Sequence, residues 1–387
     1  MKIVVLYDFL SELGGIERVI ALESHWLQKI RPTLAFLSVD EKMKREFIEQ
    51  YSISKDIPIT TVFNFFKNEA LAIMLSFLIP FSRKIKADLI LSHGFFSSFL
   101  SYKLKKFCGQ RYHIFIHHPP NFLYLQYTKE KKVFANSLKR KIAIFMGSFF
   151  RPYLRFLDKI IVKNAETLFV NSKYTQERVR SIYNRESVIC YPPYSSDFAV
   201  KTPTWAHSHL EKFKIPKKFI LTHGRLVPDK RVDYIIRALV HLSDHLVISG
   251  TIPEKTKTEI ERLVAELGLN DRVTVLGRVS KEELIALYNT AEVFVLTAPK
   301  EDFGLVPIEA MACGTPCVAW GDRAGPSETV VNGKNGYLAR PYDLYDLALK
   351  VTQAKTLKKQ RENISDSVLA FSEERAKKVF LKSFLKE

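Results

Sequence analysis

At 387 residues the chain is longer than one hydrophobic core usually organises, so two domains of similar size are expected. Its 47 % hydrophobic and 26 % charged residues are ordinary globular usage and exclude disordered, collagen-like and disulfide-scaffold classes. The formal net charge of +18 leaves three kinds of partner open: nucleic acid, an anionic membrane face or an acidic substrate.

Met1-Lys2 passes at once into the apolar residues 3–7, too short and wrongly flanked for a signal peptide, so this run reads as a first buried strand. Phe9-Leu-Ser-Glu-Leu-Gly14-Gly15-Ile-Glu-Arg18 then supplies a glycine turn feeding an amphipathic helix. It is neither G-x-G-x-x-G nor a P-loop. Gly14 and Gly15 admit a ligand against the backbone or make a plain tight turn. Further strand-like runs at 33–37, 89–92, 113–116, 167–170 and 188–190 alternate with helical-period segments, the pattern of βα units on a parallel sheet. The longest apolar run, 70–81, has 12 residues and is well short of the ~20 that span a bilayer.

The positive charge is unevenly placed. Residues 1–200 hold 30 Lys and Arg against 17 Asp and Glu, and 103–163 hold 14 basic and 2 acidic side chains interleaved with 12 Phe and Tyr. Greasy clusters bracketed by cations, as in 141–151, suit a membrane interface, against the plainer alternative of a buried helix with a solvated basic face. Nucleic acid ranks last because no recognition motif accompanies the charge. Inside the same stretch, Ile114-Phe-Ile-His117-His118-Pro119-Pro120 places His117 at the C-terminal end of a strand, where open α/β sheets bind ligands. A histidine there donates a hydrogen bond, acts as acid or base, or is simply structural.

Residues 191–218, rich in Pro, Ser and Thr with little apolar periodicity, read as the inter-domain hinge. Strand-like runs resume at 219–222, 246–249, 273–276, 293–296 and 316–319. After the first of these, Gly224-Arg225 and Lys230-Arg231 bracket a loop before a helix at about Val232, where Arg225, Lys230 and a helix N-terminus converge on phosphates. After the run 293–296 comes Glu301-Asp-Phe303-Gly304-Leu305-Val306-Pro307-Ile-Glu309, read as a loop and helix start with Pro307 and Glu309 in the first turn and Gly314 as the stop. Phe303, Gly304, Leu305 and Val306 then offer backbone N–H groups to a diphosphate or sugar oxygen. Glu301 and Glu309 accept hydrogen bonds from hydroxyls, or merely complement the helix dipole.

Four scattered cysteines suit a reducing compartment, and Cys313-x3-Cys317 lacks the second ligand pair a metal site needs. With neither D-x-D nor H-E-x-x-H present, no catalytic metal and no cofactor are expected. The end of the chain, 371–385, is amphipathic through Phe371, Val379, Phe380 and Phe384 and needs a surface to pack on.

Together these elements resemble the retaining glycosyltransferases of family 4. Glu301 and Glu309 match that family's E-x7-E motif, Gly14-Gly15 its glycine loop, Arg225 with Lys230 its phosphate pair, and His117 with Pro119 its H-x-P position. The resemblance implies an α/β GT-B fold, two doubly wound Rossmann-like domains facing a cleft: an acceptor-binding domain over 1–195, a nucleotide-sugar-binding domain over 196–370 including Gly224, and a C-terminal helix over 371–387 crossing back to the first domain. It implies Glu301 on donor-sugar hydroxyls, Glu309 on the ribose, Arg225 and Lys230 on the departing diphosphate and His117 on the donor sugar. Transfer would be retaining, by front-face attack, and metal-independent.

Tyr191-Pro192-Pro193 and the His117–Pro120 run are similar to mannosyltransferases of lipid-linked oligosaccharide assembly. This implies a hexose, mannose favoured, moved from GDP-mannose to a glycan or polyprenyl-linked acceptor by a cytoplasmic protein peripheral to the membrane. A UDP-sugar-dependent transferase, a phosphorylase or epimerase of the same fold, and a basic nucleic-acid-binding protein are the rival readings.

Overall fold

The computed structural model describes residues 1–10, 13–62, 85–124 and 138–385, with 138–149 described in backbone only. The apolar run 70–81, Ser11 and Glu12 of the glycine turn, and most side chains of 125–149 lie outside the described residues.

The apolar runs become strands because their β-branched and aromatic residues are buried on both faces, as parallel sheets demand. β1 (Ile3–Leu10), β2 (Thr33–Val39), β3 (Ile59–Thr61), β4 (Leu89–His93), β5 (Arg111–Ile116), β6 (Leu168–Val170) and β7 (Val188–Ile189) form one sheet in the order β3-β2-β1-β4-β5-β6-β7. β8 (Ile220–Arg225), β9 (Leu246–Thr251), β10 (Val273–Gly277), β11 (Val293–Leu296), β12 (Cys317–Trp320) and β13 (Gly336–Ala339) form the other, in the order β10-β9-β8-β11-β12-β13. Every pairing is parallel. In each sheet the order reverses beside the first strand, at β1/β4 and at β8/β11. Those two points are the topological switches beyond whose C-terminal ends ligands bind in such sheets.

The chain divides into one unit of Met1–Tyr191 with Lys377–Glu387 and another of Pro192–Ala376. In the first, Leu6, Leu37, Ile90, Tyr112 and Val170 are among the core residues under helices such as Phe95–Cys108. The end of the chain joins this core: Phe380 is fully buried and packs on Trp26 and Phe169, and Phe384 packs on His113. Val379, expected on the same apolar face, is exposed, because it lies one position, about 100° of helix turn, from Phe380 and so off the Phe380/Phe384 stripe. In the second unit Ile220, Ile236, Ile248, Val295, Val318 and Val351 lie in the core.

The expected hinge is more ordered than its composition implies. Thr202 caps a helix, Pro203–Leu210, with Pro203 in the first turn, and its Ala206 and Leu210 are buried. It packs on the helix Lys281–Thr290, and the Asn289 side chain bonds both Lys201 N (2.7 Å) and Ala199 O (3.1 Å). A cap and a proline at a helix start override weak periodicity.

Candidate functional site: two strand edges

In the second unit the switch point is built from the loops after β8, β11 and β12. Gly224 (φ 142°) and Gly250 (φ 117°) pair across β8 and β9, and a Cβ on Gly250 would stand 2.0 Å from the Gly224 carbonyl oxygen, so only glycine permits this approach. β8 ends at the exposed Arg225, and the chain turns through Pro228–Lys230. Thr297, just past β11, donates its hydroxyl to the Arg231 carbonyl at 2.8 Å and ties this turn to its neighbour. Arg231 itself forks onto Asp233 with two 2.9 Å bonds and lies over the Tyr234 ring, so its charge is spent locally.

Lys230 Nζ meets Glu301 Oε2 at 2.5 Å, bringing two residues 71 positions apart to one edge, both part-buried. Around them the backbone is fixed. Glu301 O accepts from Gly325 N at 2.8 Å, and Lys300 donates its N–H to Asp322 Oδ2 (2.6 Å) and its ammonium to the Asp322 carbonyl (2.5 Å). A Cβ on Gly325 would fall 2.3 Å from Phe303 Cα, so the loop after β12 lies directly on the 301–304 loop. Phe303, buried and edge-on to Phe371, anchors that loop from below.

Gly304 (φ 86°) then caps the helix Leu305–Ala312. The helix begins two residues earlier than the sequence implies, because the left-handed glycine ends the loop at 304. Pro307 becomes its third residue, where a missing N–H still costs no bond. Glu309 therefore stands in the second turn, not the first, and is buried. Leu305 and Val306 present the free N–H groups of the helix start.

The first unit's edge is different in kind. Gly14 caps the helix Gly15–Trp26, its N–H bonding Glu17 Oε2 at 2.9 Å, and Tyr7 donates to the other Glu17 oxygen at 3.0 Å. Gly15 is the first residue of that helix. Asp8, at the end of β1, accepts from Ser97 N (2.6 Å) and Phe96 N (3.2 Å) at the start of the helix Phe95–Cys108, and burial pushes its carboxyl up to about 6. His117, one residue past β5, is buried; its Nε2 lies 3.0 Å from His93 Nδ1, and its ring stacks on Phe115 at 4.5 Å. Burial first, then the neighbouring His93 and His118, hold the His117 imidazole well below the usual histidine range.

Sequence reasoning thus identified Lys230, Glu301, Gly304 and His117 but passed over Asp322, Gly325, Thr297, Asp8 and His93. The run Gly321-Asp-Arg-Ala-Gly325-Pro326 directly after a buried strand carried the same strand-turn-helix signal as 301–309 and could have revealed the first two.

Residues 205–368 match the family described as glycosyl transferases group 1. D-inositol 3-phosphate glycosyltransferase of Mycolicibacterium smegmatis is 31 % identical over 222 residues, covering 55 % of this chain and 51 % of that protein. Mannosylfructose-phosphate synthase of Agrobacterium fabrum is 32 % identical over 162 residues, covering 39 % and 35 %. The chain spans about half the length, or less, of these curated relatives. Among solved structures, Anabaena Alr3699/HepE in complex with UDP superposes with a TM-score of 0.77 at 19 % identity over 99 % of both chains. Sucrose-phosphate synthase from Thermosynechococcus elongatus gives 0.75 at 20 % identity over 99 % and 98 %. The chain therefore has the GT-B fold, and its residues 205–368 match the group 1 glycosyl transferase family.

Proposed function

We propose that the protein is a retaining, metal-independent glycosyltransferase moving a hexose from a nucleoside-diphosphate sugar. The Lys230–Glu301 pair at the switch point of the second unit, inside the region that matches group 1 glycosyl transferases, carries this reading. An ammonium and a carboxylate held side by side suit a ligand that is both anionic and rich in hydroxyls. Lys230, with Arg225, takes the diphosphate; Glu301 accepts from sugar hydroxyls, and Glu309 from the ribose. Gly224, Phe303, Gly304 and Leu305 keep the backbone close to the ligand. In the front-face route the acceptor attacks on the side that the diphosphate leaves, so no enzyme nucleophile is required. The cations stabilise the leaving phosphate as its charge develops. In the first unit, taken by itself, His117 and the Gly14-Gly15 turn are the residues that the resemblance names.

Mannose from GDP-mannose is the donor favoured by the family resemblance, and the name of the mannosylfructose-phosphate synthase relative supports the mannosyl part of it alone. UDP-glucose is the alternative, favoured by the UDP-bound and UDP-glucose-bound HepE structures. The acceptor is a glycan or lipid-linked glycan at a membrane face. Phe150, Tyr153 and Phe156 stand exposed on the helix Leu138–Asn164 beside the exposed Lys159 and Lys163, as an interfacial helix requires. No helix among the described residues is long and apolar enough to cross a membrane.

A donor screen by thermal shift and turnover, with GDP-, UDP- and ADP-sugars in EDTA, tests the reading. One donor class should stabilise the protein and be consumed; no stabilisation and no turnover with any of them would overturn it.

A further inference from the structure

Behind His117 lie two polar side chains, His93 and Glu23, that the family match does not explain. His93 and Phe115 are register partners on β4 and β5, so their side chains leave the same face of the sheet, and His117, two residues beyond Phe115, returns to that face. The rings of His93, Phe115 and His117 stack within 4.5–5.5 Å of one another, which fixes both imidazole planes. His93 is fully buried, with Nδ1 3.0 Å from His117 Nε2 and Nε2 2.8 Å from Glu23 Oε2. Glu23, on the helix Gly15–Trp26, is also fully buried; it faces His93 Nε2 at ion-pair distance, but the contact lacks hydrogen-bond geometry, so neither Glu23 oxygen nor His93 Nε2 has a hydrogen-bond partner. Beside it stands Cys190, whose thiol burial and the Glu23 carboxylate keep protonated. His118 is the ionisable neighbour of His117.

We propose that Glu23 and His93 are positioning residues that hold His117 as a neutral imidazole with its proton on Nδ1, aimed as a hydrogen-bond donor at an oxygen of the bound ligand. The reason is proton counting. A fully buried group of this kind is cheapest with no net charge. Two arrangements achieve that: a Glu23 carboxylate against a His93 imidazolium, or a protonated Glu23 against a neutral His93. They differ only in which side of the Glu23–His93 contact holds the proton. In both, His93 Nδ1–H donates to His117 Nε2, so the His117 proton must sit on Nδ1. The opposite polarity, with His117 Nε2–H donating to His93, avoids a buried charge only if Glu23 carries its proton on Oε1, where that O–H has no acceptor. The second nitrogen of a histidine is set by the bond its first nitrogen makes, and here that bond leads back to a carboxylate.

Only the consequence for catalysis rests on the glycosyl-transfer reading: a donor at His117 Nδ1 suits a sugar oxygen and leaves proton abstraction by that atom unavailable.

The test is nitrogen-15 NMR of the histidine-labelled full chain at pH 7, with the His117 ring signals identified by their loss in His117→Gln. The wild type should show His117 as the neutral Nδ1–H tautomer, the less common form of a free imidazole. Glu23→Leu and His93→Leu should move it towards the Nε2–H form. Glu23→Gln, whose amide can donate to His93 Nε2, should keep Nδ1–H, and this variant decides the matter if the leucine variants do not fold. An Nε2–H tautomer in the wild type, or one tautomer shared by the wild type and the folded leucine variants, would overturn the proposal.

In turnover, Glu23→Leu should lower kcat about tenfold to a hundredfold with donor KM little changed, and Glu23→Gln should recover most of it. Equal kcat in the wild type and Glu23→Leu would overturn the catalytic consequence. A wild type that consumes no nucleotide sugar would overturn the glycosyl-transfer reading instead, while the tautomer remains measurable.

Discussion

The two strand edges use opposite electrostatic strategies. In the second unit the chemistry-bearing groups are charged, part-exposed and held by backbone: Lys230 and Glu301 stand on loops fixed by Gly325, Asp322 and Thr297. In the first, they are withdrawn from solvent and short of charge: His117, His93 and Glu23 are buried and Asp8 half-buried, among stacked rings and helix starts. A charged edge takes a charged ligand, whereas a buried chain of imidazoles sets the direction of one hydrogen bond. Under the proposed function, this contrast would give anion binding to the second unit and the orientation of a hydrogen bond to the first.

The largest effect that could break this contrast is on catalysis. Glu301→Ala and Lys230→Ala should each lower transfer by about 10²–10³-fold, the size of a lost charge-stabilising contact, with the melting temperature nearly unchanged because the pair is part-exposed. If the melting temperature collapsed instead, the pair would be a structural clamp. Gly325→Ala should act the other way round. Its Cβ would press on the Phe303 backbone, costing about 3 kcal/mol and loosening the 301–304 loop, seen as a lower denaturant midpoint together with weakened donor binding.

A smaller effect sharpens the account of the first edge. Asp8 keeps a proton up to about pH 6 when folded but loses it near 3.8 when unfolded. Between those values the folded state binds more protons, so the stability from this group is full below pH 3.8 and is lost as pH rises through 6. Asp8→Asn should therefore flatten the stability profile in that window by about 2 kcal/mol, read from urea midpoints at pH 4.5 and 7. Asp158, raised to about 6 by burial despite hydrogen bonds from Tyr124 and Tyr183, leaves a residual slope that Asp158→Asn removes. The smallest expected change is at the exposed aromatic face. Phe150→Ser with Tyr153→Ser and Phe156→Ser should weaken binding to anionic vesicles about tenfold, while leaving oligonucleotide binding, if any, unaltered.

The second edge was the more legible one, because its signals are local. Glycine before a helix and a carboxylate beside it survive as a short motif wherever the rest of the chain goes. Even there the register slipped: Pro307 suggested a helix start, but the left-handed Gly304 sets it at Leu305 and carries Glu309 into the second turn. The first edge depends on pairings between distant residues. Glu23 belongs to no motif in the sequence and gains its partner only where β4 brings His93 against it. β3 and β13 went unread for a simpler reason: short edge strands such as Ile59-Thr-Thr61 and Gly336-Tyr-Leu-Ala339 carry too few apolar residues to mark a period. Their neighbours β2 and β12 place them.

Sugar-nucleotide consumption by the full chain in EDTA, measured side by side for the wild type, Lys230→Ala and Glu301→Ala with folding checked by circular dichroism, tests the donor site most directly. Turnover by the wild type and its loss in both folded variants is the expected result. Wild-type rates in both variants, or activity abolished by the chelator and restored by a divalent ion, would contradict a donor site built on Lys230 and Glu301 without a metal.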